Sequence, residues 1–194
     1  MPLDVHFSSK TVEWETPQYF FDHLNEEFNF ELDVAASESN HKCDRYCTIH
    51  NDGLLVDWHR LGEIPPTCWM NPPYGRQIGK WVEKGYLESQ LGCVVVCLLP
   101  ARTDTAWFHK YVLGKAEIRF IRGRLKFGGS ANSAPFPSLV CVYRANMNGG
   151  LQRGICRSRK AAADAPDNNR HPMSGSEIQV LGGCRRTRES GHTC

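Results

Sequence analysis

No apolar run in this 194-residue chain approaches the roughly 20 residues that span a bilayer; the longest, near Val94 to Leu99, is strand-sized. The opening "MPLDVHFSSK" lacks the apolar region of a secretory signal. A membrane protein is therefore not expected, and the expected compartment is the cytoplasm. Charge of one sign is scarce too: 23 Lys+Arg against 21 Asp+Glu leave a net +2. Residues 145–194 hold eight basic and four acidic residues, so that stretch carries +4 and the remainder −2. A body of this charge has no overall attraction for nucleic acid and needs local basic patches to hold it. Paired cysteine spacing is also missing. The nine cysteines are an odd count, and Cys93, Cys97 and Cys141 sit in apolar strand-like runs. They read as buried thiols, not as a disulfide frame. "HKCDRYCTIH" sets His41, Cys43, Cys47 and His50 close together, but without the spacing of a zinc finger or a second cysteine pair. No metal site is assigned, and thiol packing is expected there.

What is present fits a globular domain with a tail. The chain is 41% hydrophobic and 23% charged, enough for a real core. The expected domain spans 8–144. After Arg144 the sequence turns rich in Gly, Asn, Arg and Ser, and 145–194 is expected to be a disordered polar, basic tail. Within the domain, Thr16-Pro17 reads as a helix start, a capping hydroxyl followed by proline at the first helical position. Phe20, Phe21, Leu24 and Phe28 then form a helical stripe. "FELDVAAS" and "TCWM" read as strands, Ile78, Trp81, Val82 and Tyr86 as a second helical face, and "CVVVCLLP" as a buried central strand. Trp107, Phe108, Tyr111 and Val112 mark a third helix, with Thr103 or Asp104 as its cap. "AEIRFI", "RLKF" and "SLVCVYR" read as further strands, the last two as an antiparallel pair. The alternation predicts an α/β sheet, mostly parallel, with an antiparallel C-terminal hairpin and helices on both faces. Asp33, Asn71 and Pro100 fall at strand ends, so they are expected along one rim, where such sheets bind ligands.

The most informative stretch is Asn71-Pro72-Pro73-Tyr74. Proline has no N–H, and the residue before it is pushed extended. The loop therefore offers carbonyl oxygens and one side-chain amide, then a flat ring. Such a loop accepts hydrogen bonds from an amino group while the ring stacks on whatever carries it. An exocyclic amine on an aromatic base is a poor nucleophile because its lone pair is delocalised. Two acceptors on its N–H bonds, the Asn71 side-chain oxygen and the Pro72 carbonyl, draw the nitrogen towards tetrahedral geometry. The alternative for the motif is a proline-rich turn ending a strand, and for Tyr74 a half-buried packing ring.

With these residues in place, the sequence resembles the phage-type DNA N-6-adenine methyltransferase (Dam) family from about Trp14 to Arg144. The marks are "WETPQYF", "LDVAAS", "DGLLVDW", "NPPYG", "IGKWVEK", "LLPARTDTAWF", "GRLKF" and "APFPSLV". The resemblance implies a Rossmann-like methyltransferase fold, S-adenosyl-L-methionine as donor, and methylation of adenine N6 in double-stranded DNA with base flipping. Carried over by position, Asn71, Pro72, Pro73 and Tyr74 form the catalytic motif. Thr16 and Pro17 match the element that meets the donor's methionine part. Asp33 takes the place of the donor pocket's polar residue, with Ala35 in the loop behind it, and Asp57 serves the adenosine side. The family pattern often has a glycine-rich turn after the first strand; here the turn is "DVAASESN", small but without glycine. Arg76, Lys80, Arg102, Asp104 and Arg124 are candidates for holding DNA, and specificity is expected from the loops 37–52 and 122–136. No obligate protein partner is expected. The rival readings are methylation of cytosine N4 or of a protein glutamine, and a non-catalytic DNA-binding module with a decayed donor site.

Overall fold

The computed structural model describes residues 14–128, 130 and 132–145, and the backbone of 178–180. Helix α1 covers Gln18–Phe28. Pro17 supplies a preset φ of −58°, and its carbonyl accepts the N–H groups of Phe20 and Phe21. Thr16 does not cap the helix as its sequence position predicts; its hydroxyl is used elsewhere. Asn29, at φ 51°, ends α1, helped by the Asn25 side chain accepting the Phe30 N–H. The apolar stripe Phe20, Phe21, Leu24 and Phe28 is buried as predicted.

Four strands then build outwards in parallel pairs: β1 (Leu32–Asp33), β2 (Arg45–Tyr46), β3 (Thr67–Met70) and β4 (Val94–Pro100). Helix α2 (Ile78–Gln90) joins β3 to β4. A short π-helical turn, Phe108–Val112, leads from β4 to β5 (Glu117–Ile121). β6 (Ser138–Tyr143) runs back antiparallel to both β4 and β5. Three backbone-described residues, β7 (Ile178–Val180), pair antiparallel with β5. The sheet order is β2-β1-β3-β4-β6-β5-β7. β5 therefore points the same way as β1 to β4, and β6 is the reversed strand between them.

Strand alternation places a helix on each face. Trp69 of β3 turns to α1, where its ring meets the edge of Phe21 at 5.5 Å. Its neighbour Met70, with Val95 and Cys97 of β4, turns the other way and packs on α2 at Gly85. The register keeps these sets in line: Cys97 opposes Met70 on one side and Cys141 on the other. Val95 to Leu99 are fully buried. A cut such as Leu98→Ala there is worth about 3 kcal/mol of stability.

Two expectations change. "RLKF" is not a strand, and the antiparallel pair is β5 with β6. Gly123, at φ 82°, turns the chain after β5; Leu125 and Phe127 are buried, but single bonds tie this segment down instead of a ladder. Neither Thr103 nor Asp104 caps the turn before Phe108; the Thr105 carbonyl takes the N–H groups of Phe108 and His109. Of the expected tail 145–194, Ile178–Val180 form an edge strand, and 146–177 and 181–194 lie outside the described residues. Six of the nine cysteines are described, and all six are free and buried.

The parallel strands set the rim. β1 ends at Asp33, β3 runs into Asn71, and β4 ends at Pro100, so all three emerge at the carboxyl side. Gly53 lets the following loop pass close beneath it. A Cβ there would lie 2.1 Å from the Val34 carbonyl, and the Gly53 carbonyl accepts the Trp58 indole N–H at 2.7 Å.

Candidate active site

A cavity of about 110 Å³ opens at this rim. Its walls include Thr16, Asp33, Ala35, Asn71, Pro72 and Pro73, joining residues that the sequence marked in three separate stretches. Trp14, Asn40, Lys42 and Trp69 line it as well. Sequence reasoning missed these four. Trp14 lay within "WETPQYF", and Asn40 and Lys42 within the 37–52 loop expected to give specificity, but none of them was assigned to this cavity.

Asp33 is 4% exposed. Its two oxygens accept the backbone N–H groups of Ala35 at 3.2 Å and Lys42 at 3.0 Å. It thereby folds the 34–42 loop around one carboxylate, which explains how the turn holds its shape without glycine. Burial raises its pKa from 3.8 to about 6, against the opposing pull of those two N–H groups. The Lys42 ammonium does not pair with Asp33; it donates to the Gln18 side chain at the start of α1, at 2.9 Å. The cavity therefore has a costly buried anion on one side and an ammonium near its edge.

Asn71 is held from the other side. Its amide nitrogen donates to the Trp14 carbonyl at 2.5 Å and to the Thr16 hydroxyl at 3.0 Å. Its amide oxygen is buried and has no partner among the described residues. An unpaired buried acceptor of this kind costs about 1–3 kcal/mol. Pro72 and Pro73 follow along the cavity wall. Tyr74 is 7% exposed, and its hydroxyl donates to the Leu98 carbonyl at 3.1 Å. Its ring meets the edges of Phe127 and Phe136, with centroids at 6.2 and 5.6 Å, and both of these rings also meet Trp14. Tyr74, Trp14, Phe127 and Phe136 thus form one aromatic cluster beside the cavity, which Tyr74 itself does not line.

The remaining candidates divide. Pro17, the extended residue just before α1, follows Thr16 without lining the cavity. Asp57 is exposed, pairs with Arg60 at 3.7 Å, and does not reach the cavity. Arg76 and Lys80 are exposed around the start of α2, and Arg102 and Asp104 are exposed just after β4. Arg124 is spent on its own loop, donating to the Ala134 and Pro135 carbonyls. At the "HKCDRYCTIH" segment, His41 stacks on Tyr46 at 4.2 Å, while Cys43 and Cys47 are buried, with pKa values pushed by burial to about 12 and about 11.

The Asn71-Pro72-Pro73 segment and the buried Asp33 carboxylate thus line one cavity at the carboxyl rim of an α/β sheet. The chain belongs to the DNA N-6-adenine-methyltransferase (Dam) family, whose model matches residues 7–148. It is similar to the DNA N-6-adenine-methyltransferase of Haemophilus phage HP1, 35% identical over 111 residues, or 56% of this chain and 61% of that protein. It is also similar to the DNA N-6-adenine-methyltransferase of Escherichia phage T1, 31% identical over 113 residues, or 58% and 45%. The matched stretches thus span about half the length of these curated relatives. Among the described residues, no helix is long and apolar enough to cross a membrane.

Proposed function

We propose that this chain transfers a methyl group from S-adenosyl-L-methionine to the N6 amine of adenine in double-stranded DNA, with the target base flipped out. Support comes from the family membership, the names of the phage relatives, and above all one observation: Asn71, which lines the same cavity as Asp33, keeps a buried amide oxygen without a partner among the described residues. The reversed β6 between parallel neighbours, with the cavity at the carboxyl ends, agrees with a Rossmann-like methyltransferase fold.

The residues present suit this donor. Asp33 is a carboxylate whose ionisation is penalised by burial, so a cationic guest relieves it. Lys42 stands at the same cavity for a carboxylate, and Ala35, Ala36 and Ser37 leave room. When bound, the donor supplies an electrophilic methyl group on a sulfonium. The protein's share is alignment and electrostatics. Asn71 Oδ1 and the Pro72 carbonyl accept the two N–H bonds of the amine and turn its lone pair outwards. The amine's proton leaves after transfer, so the loop needs no strong base. Tyr74 stacks on the base, a contact worth about 1–3 kcal/mol. Because Phe127 and Phe136 cover its ring, base entry must displace their edges. Arg76, Lys80 and Arg102, all exposed, meet the DNA phosphates in this reading, in the cytoplasm of the host cell.

Expression in a methylation-free host, followed by nucleoside analysis of the DNA, tests the reading. N6-methyladenine is expected. N4-methylcytosine, or unmodified DNA despite donor binding, overturns it. Asn71→Ala is expected to keep its fold and lose at least about 100-fold in turnover, the scale of a lost charge-stabilising contact.

A further inference from the structure

We infer that Thr16 is a positioning residue: with the Trp14 carbonyl, it locks the Asn71 amide so that Oδ1, and not the NH2 group, meets the reacting amine. This rests on the proposed methyl transfer to an amine.

The two ends of an asparagine amide are nearly the same in shape and opposite in function. One accepts hydrogen bonds and the other donates them. A half-turn about the last side-chain bond exchanges them, and packing alone discriminates poorly. For an amine guest, the wrong orientation sets donor against donor. In this structure both hydrogens of Nδ2 are claimed, one by the Trp14 carbonyl and one by the Thr16 hydroxyl. A half-turn would place Oδ1 against that carbonyl, which can only accept. The carbonyl selects the orientation, and the Thr16 hydroxyl, accepting the second hydrogen, holds the amide in it; the two contacts come from a segment 55 and 57 residues earlier in the chain.

That segment is itself held. The Glu15 carbonyl accepts the Gly128 N–H at 2.9 Å. The approach is so close that a Cβ on Gly128 would lie 2.5 Å from that of Glu15. Trp14 is wedged between Phe127 and Phe136, with centroids at 5.4 and 5.1 Å. The clamp therefore runs from the 127–128 segment through 14–16 to Asn71. It also accounts for why Thr16, 4% exposed at a helix start, leaves that helix uncapped.

The test separates positioning from donor binding, since Thr16 also lines the cavity. Thr16→Val keeps the shape and removes the acceptor; Thr16→Ser restores it. With Thr16→Val, kcat is expected to fall about tenfold or more, as misplaced catalytic groups do. Donor Kd by calorimetry and KM for DNA should stay within about twofold, because neither measures the amide's direction. Thr16→Ser should recover most of the loss. A second readout needs no activity. In 15N-labelled protein the two side-chain amide protons of Asn71 should exchange slowly with solvent, and faster in Thr16→Val. If Thr16→Val does not fold, Thr16→Ala takes its place in both measurements. The inference is overturned if kcat is unchanged in Thr16→Val, if donor affinity falls as far as kcat, or if the wild-type amide protons exchange freely. Should the wild type methylate no DNA, the proposed function fails, and the exchange measurement alone still decides whether the clamp exists.

Discussion

Two buried carboxylates stand in contrast. Asp33 closes β1 at the rim, 4% exposed, and Glu88 lies near the end of α2, 2% exposed. Glu88 is surrounded by cationic and N–H partners: the Lys84 ammonium at 2.7 Å, the His59 ring at 2.8 Å and the His59 backbone N–H at 3.0 Å. Although burial pushes its pKa up, these partners outweigh that and hold it below its ordinary value. Asp33 receives two backbone N–H groups and, among the described residues, no cation in direct contact, and its pKa rises to about 6. A carboxylate with a structural role comes with its own counter-charge. One left short of a cation, in the wall of a cavity, is available to a guest. Asp57, His59 and Glu88 bring ligand-type atoms within 4.8 Å of one another, but Lys84 already occupies one Glu88 oxygen.

The sharpest way to break the contrast is Glu88→Gln. It strands Lys84 beside a neutral group in a largely buried pocket, where losing one partner of an ion pair costs on the order of 3–5 kcal/mol. A large drop in Tm is expected, with donor affinity per folded molecule unchanged; loss of affinity with stability intact would reverse the two roles. Asp33→Asn should behave oppositely. It removes an ionisation penalty of about 3 kcal/mol at neutral pH but leaves the Lys42 N–H facing an amide donor. The two effects offset to within about 1 kcal/mol, while donor affinity falls about tenfold to a hundredfold, the worth of a charge-assisted contact. Calorimetry beside thermal denaturation reads both.

The smallest effect is on pH dependence, where the signs differ. Asp33 has a folded pKa above its unfolded value of 3.8, so between about 6 and 3.8 the folded state binds more protons. Its ionisation cost disappears as pH falls through that window, and this group alone makes folding more favourable in acid. Glu88, with a lowered pKa, contributes stability above 4.5 that is lost as pH falls through its folded pKa. Titrating stability from pH 7 to 4 in Asp33→Asn should therefore show a steeper loss in acid than in wild type. Donor affinity in the wild type should fall below pH 6, as Asp33 takes up its proton; a flat profile would remove Asp33 from the donor pocket.

Much of the site was legible in the chain. Two consecutive prolines leave a loop with acceptors and few donors in any fold, so the character of 71–74 followed from residue chemistry. The rim followed from strand ends, since parallel strands share a direction, and Asp33 and Asn71 did meet there. Partnership across the sheet was not legible. Lys42 reads as one charge in a polar run, and nothing local says that it lines the cavity or reaches Gln18. Arg124 looked free for DNA but serves two carbonyls ten and eleven residues on. Asp57 looked like a donor-pocket residue but lies apart from the cavity, and "RLKF" had the alternation of a strand but pairs with no strand among the described residues.

By itself the sequence determined the elements, the faces they bury and the kind of bond each motif can make, because those depend on side chains and near neighbours. The tertiary structure alone decided which way the Asn71 amide points and that His59 reaches Glu88, whose cation, Lys84, stands only four residues back on the same helix. Both depend on groups 29 to 57 residues away, whose approach is set by packing and not by spacing along the chain.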